Sequence, residues 1–203
     1  MSKSVLMSLS PYWYYLIGEG IKTEEVRKTI PRALDWDKQV ECYMTKDEKS
    51  FKCIPKEFQE KYWAHFGKVG MRFTCDRSDE FVYSGGGFLV CGDIPTTIGC
   101  LKQTCLTDTE FRAYAKEMNC HGWHISDLVI YDKPRELGEF STTGHCFNIK
   151  NVECTENIWG DYIFHYSQNS LCRACKWLDD LGNCRKRRHT LTRPFQSWGY
   201  VEV

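Results

Sequence analysis

Period-two alternation recurs in well-separated stretches of this chain, and it restricts the fold more than any other feature. Val69, Met71, Phe73 and Cys75 fall on one face of an extended segment, with Lys68, Arg72 and Thr74 on the other. Val40, Cys42 and Met44 alternate in the same way with Glu41, Tyr43 and Thr45. Residues 4–9, 22–29 and 195–203 read as further strands. Helical spacing comes only in short pieces. Ser10-Pro11 offers an N-cap and a first helical position, and Tyr12, Tyr15 and Leu16 follow at helical spacing over 11–18. Gly18 and Gly20 suit the end of that helix, where positive φ is needed. Pro55 opens a second helix, to His65. Thr107, three residues before Glu110, signals a third over 108–118, with Phe111, Tyr114, Ala115 and Met118 on one side and Asn119 ending it. The expected class is α+β, a mostly antiparallel sheet with flanking helices. A helical bundle or a parallel βαβ layer does not fit this pattern.

One strand breaks the rule that a strand on a core shows an apolar face. Across 22–29, Thr23, Glu25, Arg27 and Thr29 share one side, and Glu24, Val26 and Lys28 share the other. Neither side is apolar. One of them therefore lines a polar cavity or meets solvent. An exposed strand with a Glu–Arg pair would be of little consequence, since surface ion pairs contribute little.

The spacing carries more than charge. Gly20-x-Lys22-x-x-Glu25-x-Arg27 resembles the signature of the ASCH family, the activating-signal-cointegrator homology domains. The preceding Leu6-Met7-Ser8-Leu9-Ser10-Pro11 resembles that family's first strand and the start of its first helix. Gly67-Lys68-Val69 is similar to the beginning of its central strand. Trp123-His124-Ile125, running on to Tyr131-Asp132-Lys133-Pro134, resembles a strand and turn of the bacterial and phage-borne branch. Arg193-Pro194-Phe195-Gln196-Ser197-Trp198 is similar to the segment before the closing strand, with Phe195 in place of a second Pro and Gly199 in place of a bulkier residue.

The resemblance implies a PUA-like β-barrel of five or six mostly antiparallel strands, one domain over 1–203. It implies a nucleotide- or RNA-binding module whose cleft holds Lys22, Glu25 and Arg27, with Trp123, His124 and Trp198 as further ligand contacts. One alternative is a hydrolase, either a ribonuclease or an amidohydrolase on a modified nucleoside, acetylated cytidine. Lys22 and Glu25 would then be catalytic. In the small family enzymes a Lys at the Lys22 position is the proposed base, with a Thr three residues on. Glu25 stands at that Thr position, and their distant acidic partner has no match here, which counts against simple transfer. The remaining alternative is a phage-borne antagonist that acts on a host protein partner.

Two stretches read differently on physical grounds. Leu128 to Tyr131 is an apolar run expected to be buried on both faces, with Pro134 stopping its strand. Gly85-Gly86-Gly87 is a flexible turn that lacks the following Lys-Ser/Thr of a phosphate loop. Residues 88–106 carry no clear pattern.

Between the last two resembling blocks lies a Cys-rich, basic insertion, 141–193. Cys172-Arg173-Ala174-Cys175 and Cys184 read as three ligands of a zinc knuckle, because a Cys-x-x-Cys turn supplies two thiolates of a tetrahedron from one short loop. Cys154 is the best fourth, with His145, Cys146, His165 and His189 as alternatives. A structural zinc would help a segment poor in aliphatic residues to fold. Arg185-Lys186-Arg187-Arg188 adjoins it and suits phosphate contact.

The chain as a whole lacks the basic charge of a strong non-specific polyanion binder. Lys+Arg and Asp+Glu are both 27, so any nucleic-acid contact must be local. An apolar leader with a cleavage site is not visible, and no run approaches membrane-spanning length, so the cytoplasm is the expected compartment. In that reducing setting most of the twelve cysteines are expected to be small buried hydrophobes rather than cross-links.

Overall fold

The computed structural model describes residues 3–31, 38–84, 87–91, 99–143 and 188–202. Two sheets carry the fold. The larger is built from β1 (Lys3–Leu9), β3 (Gln39–Met44), β4 (Val69–Thr74), β8 (Ser126–Arg135), β9 (Ser141–Thr143), β10 (Arg188–Thr190) and β11 (Trp198–Glu202). Its order is β10-β9-β11-β1-β3-β4-β8. The smaller holds β2 (Glu24–Arg27), β5 (Ser78–Ser84), β6 (Gly87–Cys91) and β7 (Cys120–His124), in the order β2-β7-β5-β6. Pairing is antiparallel except between β1 and β3, where Val5 to Leu9 run parallel to Val40 to Met44. The class is thus α+β and mostly antiparallel, with no closed barrel among the described residues.

The alternation at 39–45 and 68–75 becomes β3 and β4, and its apolar faces enter the main core. Val40, Cys42, Met44, Met71 and Phe73 are all buried there with Val5, Met7 and Leu9 of β1. Helix α1 (Pro11–Gly18) closes this core with Tyr14 and Ile17, both fully buried. Tyr14 Oη lies 2.9 Å from Nδ1 of buried His65, so the phenol brings a partner for its polar end. Pro11 takes the first helical position of α1, while Ser10 forms no side-chain cap. Gly20 ends the turn after it at φ +68°, whereas Gly18 is still helical. Short helix α2 (Glu48–Phe51), capped by Asp47, and α3 (Lys56–Trp63) fill the excursion between β3 and β4.

β6, paired with β5, and α4 (Gly99–Thr104) fall in the stretch that carried no clear pattern. Helix α5 (Asp108–Ala115) has the expected Thr107–Glu110 capping box. It stops earlier than its apolar spacing suggests, because Lys116 and Glu117 both turn to positive φ. Asn119 serves elsewhere, accepting from the Tyr83 N–H at 3.0 Å. Phe111 and Ala115 enter a second core with Val26, Phe81 and Cys120. Tyr114 and Met118, expected beside them, are exposed instead.

Strand β8 corrects the expectation of burial on both faces: Leu128 and Ile130 are half-buried while Val129 is exposed. β8 is the edge of the larger sheet, so one side of it has no neighbouring strand among the described residues. The same edge position lets the strand run through Pro134 to Arg135, since no ladder N–H is required there. β9 and β10 pair antiparallel, Thr143 opposite Arg188, so the Cys-rich insertion departs from and returns to adjacent strands. Cys154, Cys172, Cys175 and Cys184 lie outside the described residues. No helix among the described residues is long and apolar enough to cross a membrane.

Candidate functional site

Among the described residues strand β2 pairs only with β7 in the smaller sheet, Glu24 to Arg27 facing His124 to His121. Its four side chains are nonetheless buried, which a polar edge strand does not explain by itself. Helices cover it. The α4 end docks on its start, where the Thr23 N–H donates to the Gln103 carbonyl at 3.0 Å. Alternation then separates the strand's two faces.

On one face lies an ion triad. Glu25 stands between two cations, with Oε2 3.4 Å from Lys22 Nζ and Oε1 3.0 Å from Arg27 Nη2. Lys22 also donates to the Thr104 carbonyl, and its ammonium lies 5.1 Å from the Trp13 ring centroid. Arg27 Nη2 donates to the Ser8 carbonyl at 2.8 Å, and Nη1 to Ser197 Oγ at 3.3 Å. Arg27 Nε is buried with no partner among the described residues. These three residues line a cavity of about 440 Å³, within the range of small-ligand pockets. Ser8, Leu9 and Ser10 of the β1–α1 junction form one side, with Trp13 of α1. Leu106, Glu110, Ala113 and Tyr114 form the side belonging to α5 and its approach. The Thr107 N–H and hydroxyl lower the Glu110 carboxyl from its ordinary value, so it is an anion at the rim.

On the other face lies Glu24. It is only 1% exposed, and neither carboxylate oxygen has a partner among the described residues. Burial, reinforced by Asp79 and offset partly by Lys22 and Arg77, raises its pKa to about 7. The carboxyl occupies space left by the missing side chain of Gly122 on β7, where a Cβ would sit 1.6 Å from Oε1.

The three residues expected in the cleft therefore come together, and the three accessory residues do not. Trp123 is fully buried in the main core, where it packs against Trp198 at 5.8 Å. It is not among the cavity-lining residues and offers no face for stacking. Trp198 is half-buried and donates Nε1 to Thr29 Oγ1 at 3.1 Å, away from the cavity lining. His124 Nδ1 lies 2.5 Å from Asp76 Oδ1, also away from it. The aromatic side chains that do line it are Trp13 and Tyr114, both missed in the sequence. Tyr114 gave a signal that was open to another reading, since its helical spacing with Phe111 placed it on the core side of α5.

No family model matches the chain, and no curated protein matches it. Solved ASCH structures are similar to it. A crystal structure of ASCH from Zymomonas mobilis shares 15% identity, covering 64% of this chain and 69% of that one at a TM-score of 0.39. Two mutant forms of the same Zymomonas mobilis protein share 16% and 18%, at TM-scores of 0.39 and 0.38. In each, 64% of this chain is covered, with 71% and 70% of the other. What the cavity can hold follows from its own side chains.

Proposed function

We propose that this chain is a binding module for a nucleotide or a segment of RNA, held in the cavity lined by Lys22, Glu25 and Arg27. The observation that carries the reading is a cavity of about 440 Å³ lined by Lys22, Glu25 and Arg27 together with Trp13 and Tyr114. Trp13 and Tyr114 give the same cavity aromatic surface on which a base can stack. Binding is favoured over hydrolysis because Lys22 is used as a donor, to the Thr104 carbonyl and towards Glu25. A lysine acting as base needs its lone pair directed at a substrate.

Calorimetry of the full chain with ribonucleoside monophosphates and short single-stranded RNA tests this. Binding should be seen, and Arg27→Ala should weaken it by about tenfold or more. If no such ligand binds, or if Arg27→Ala changes nothing, the assignment fails. Turnover of acetylated cytidine by the wild-type chain would bring the hydrolase reading forward.

We further propose that Cys172, Cys175, Cys184 and Cys154 hold one structural zinc in the insertion. Elemental analysis of reduced protein prepared without chelator should find about one equivalent. Metal-free protein would end this proposal, and zinc that survives Cys154→Ser would pass the fourth position to His145, Cys146, His165 or His189. The free thiols of Cys42, Cys75 and Cys120, all buried, suit the reducing cytoplasm in which we place the protein.

A further inference from the structure

We infer that the base of the bound ligand stacks on Tyr114, and that Lys28, a residue outside the cavity, holds that ring in place. The inference rests on the proposed binding role of the same site and names the residues that read the ring.

The two aromatic side chains of the cavity differ in what already lies over them. Trp13 has the Lys22 ammonium 5.1 Å from its ring centroid, and the same ammonium lies 3.4 Å from Glu25 Oε2. A cation therefore stands between the Trp13 ring and Glu25, where a flat ligand would have to enter. Tyr114 also carries a cation, with Lys28 Nζ 5.4 Å from its ring centroid. Tyr114 lines the cavity and Lys28 does not. The lysine thus backs the ring from outside and leaves the cavity side of Tyr114 to a ligand.

Access favours the same residue. Lys22, Glu25 and Arg27 are buried, whereas Tyr114 is 37% exposed, so a ligand entering from solvent meets its ring first. The ring also reaches inward. Burial raises the pKa of its phenol, and Arg27 and Glu25 both act on it, Arg27 lowering it and Glu25 raising it. The hydroxyl end is therefore near the triad.

Core packing does not fix this side chain. Phe111 and Ala115 of the same helix enter the second core, and Tyr114 stays outside it. Lys28 supplies what the core does not. It makes no ion pair among the described residues, so nothing there draws its ammonium off the ring. Glu110, one turn before Tyr114, is bonded back to the Thr107 N–H and hydroxyl at 2.9 and 2.7 Å. The lysine also selects what can stack. With one cation on the outer face, the ring gains little from a second cation, while an uncharged aromatic ring still gains dispersion.

Calorimetry of the full chain with adenosine monophosphate, uridine monophosphate, a short uridine oligonucleotide and ribose 5-phosphate tests the inference. Ribose 5-phosphate has the sugar and phosphate without the ring, and should bind at least about tenfold more weakly than the nucleotides. Tyr114→Ala should weaken the nucleotides and the oligonucleotide by about tenfold and leave ribose 5-phosphate unchanged. Tyr114→Phe, which keeps the ring, should bind as the wild type does. Lys28→Met should weaken the nucleotides by about threefold and Lys28→Arg should not. In the Tyr114→Ala chain, Lys28→Met should change nothing further, since the lysine acts through the ring. Equal weakening of ribose 5-phosphate by Lys28→Met would make Lys28 a phosphate contact and overturn its positioning role. Ribose 5-phosphate binding as tightly as the nucleotides, or Tyr114→Ala leaving them unchanged, would overturn the stacking and leave the binding role intact. If none of these ligands binds, the binding role itself falls and the inference with it.

Discussion

Glu24 and Glu25 are consecutive residues of one strand, and their surroundings are opposite. Glu25 faces the cavity between Lys22 and Arg27, at 3.4 and 3.0 Å. Glu24 faces the second core, near Phe81 and Gly122, with no hydrogen-bond partner for either oxygen among the described residues. Both are buried. One carboxylate is therefore the shared partner of two buried cations. The other is most stable as a neutral acid. A strand written Glu-Glu hides this difference, because alternation assigns the two faces but not what covers each of them.

The sharpest break of the comparison is Glu25→Ala. It leaves Lys22 and Arg27 buried together without their carboxylate. Removing one partner of a buried ion pair costs about 3–5 kcal/mol, so urea unfolding should show a large drop in midpoint. Glu24→Ala removes no counter-charge and should cost far less in the same assay. Equal losses for the two variants would mean that the triad is not a stabilising unit.

The next test uses pH. Glu24 has its folded pKa raised to about 7 from an ordinary 4.5, by burial first and then by Asp79. The folded state therefore holds a proton that the unfolded chain releases. The stability this adds is fully present below pH 4.5 and is lost as pH rises through about 7. Across that window the change is about 3 kcal/mol. Glu24→Gln keeps the shape and cannot ionise, so its stability should lack this fall and exceed that of the wild type above neutrality. Identical pH profiles for the two chains would show that Glu24 ionises normally in the folded state.

The parts of the fold that follow from local pattern were legible in the sequence. Strands expected at 39–45 and 68–75 form at 39–44 and 69–74, and the capping box at Thr107 starts α5. The cleft residues were legible too, since Glu25 and Arg27 share a face by spacing alone. Their partners were not. Lys22 and Arg27 bond to the backbone carbonyls of Thr104 and Ser8, and any residue type offers a carbonyl. Trp123 and Tyr114 exchanged roles for a topological reason. The face of the strand that carries the tryptophan packs on the main core, and the tyrosine sits on the part of α5 that faces the cavity rather than the second core. Glu24 could not be identified because its burial depends on a glycine nearly a hundred residues away.

That glycine gives the smallest and most specific test. A methyl at Gly122 would lie 1.6 Å from Glu24 Oε1 and 2.9 Å from the Phe81 ring. Gly122 opposes Val26 in the ladder, diagonal to Glu24, so the conflict is with a side chain and not with strand pairing. Gly122→Ala should therefore cost about 1–3 kcal/mol, the range for overpacking a core. Glu24→Ala in the same chain should recover most of that loss, since it removes the atoms that clash. The cycle of two single variants and the double variant isolates the coupling, which should be about 1 kcal/mol or more in favour of the double. Glu25→Ala combined with Gly122→Ala should instead be additive, because Glu25 lies on the opposite face. Additivity for Glu24 as well would mean that the carboxyl does not occupy the space Gly122 leaves, and the contrast between the two glutamates would lose its structural cause.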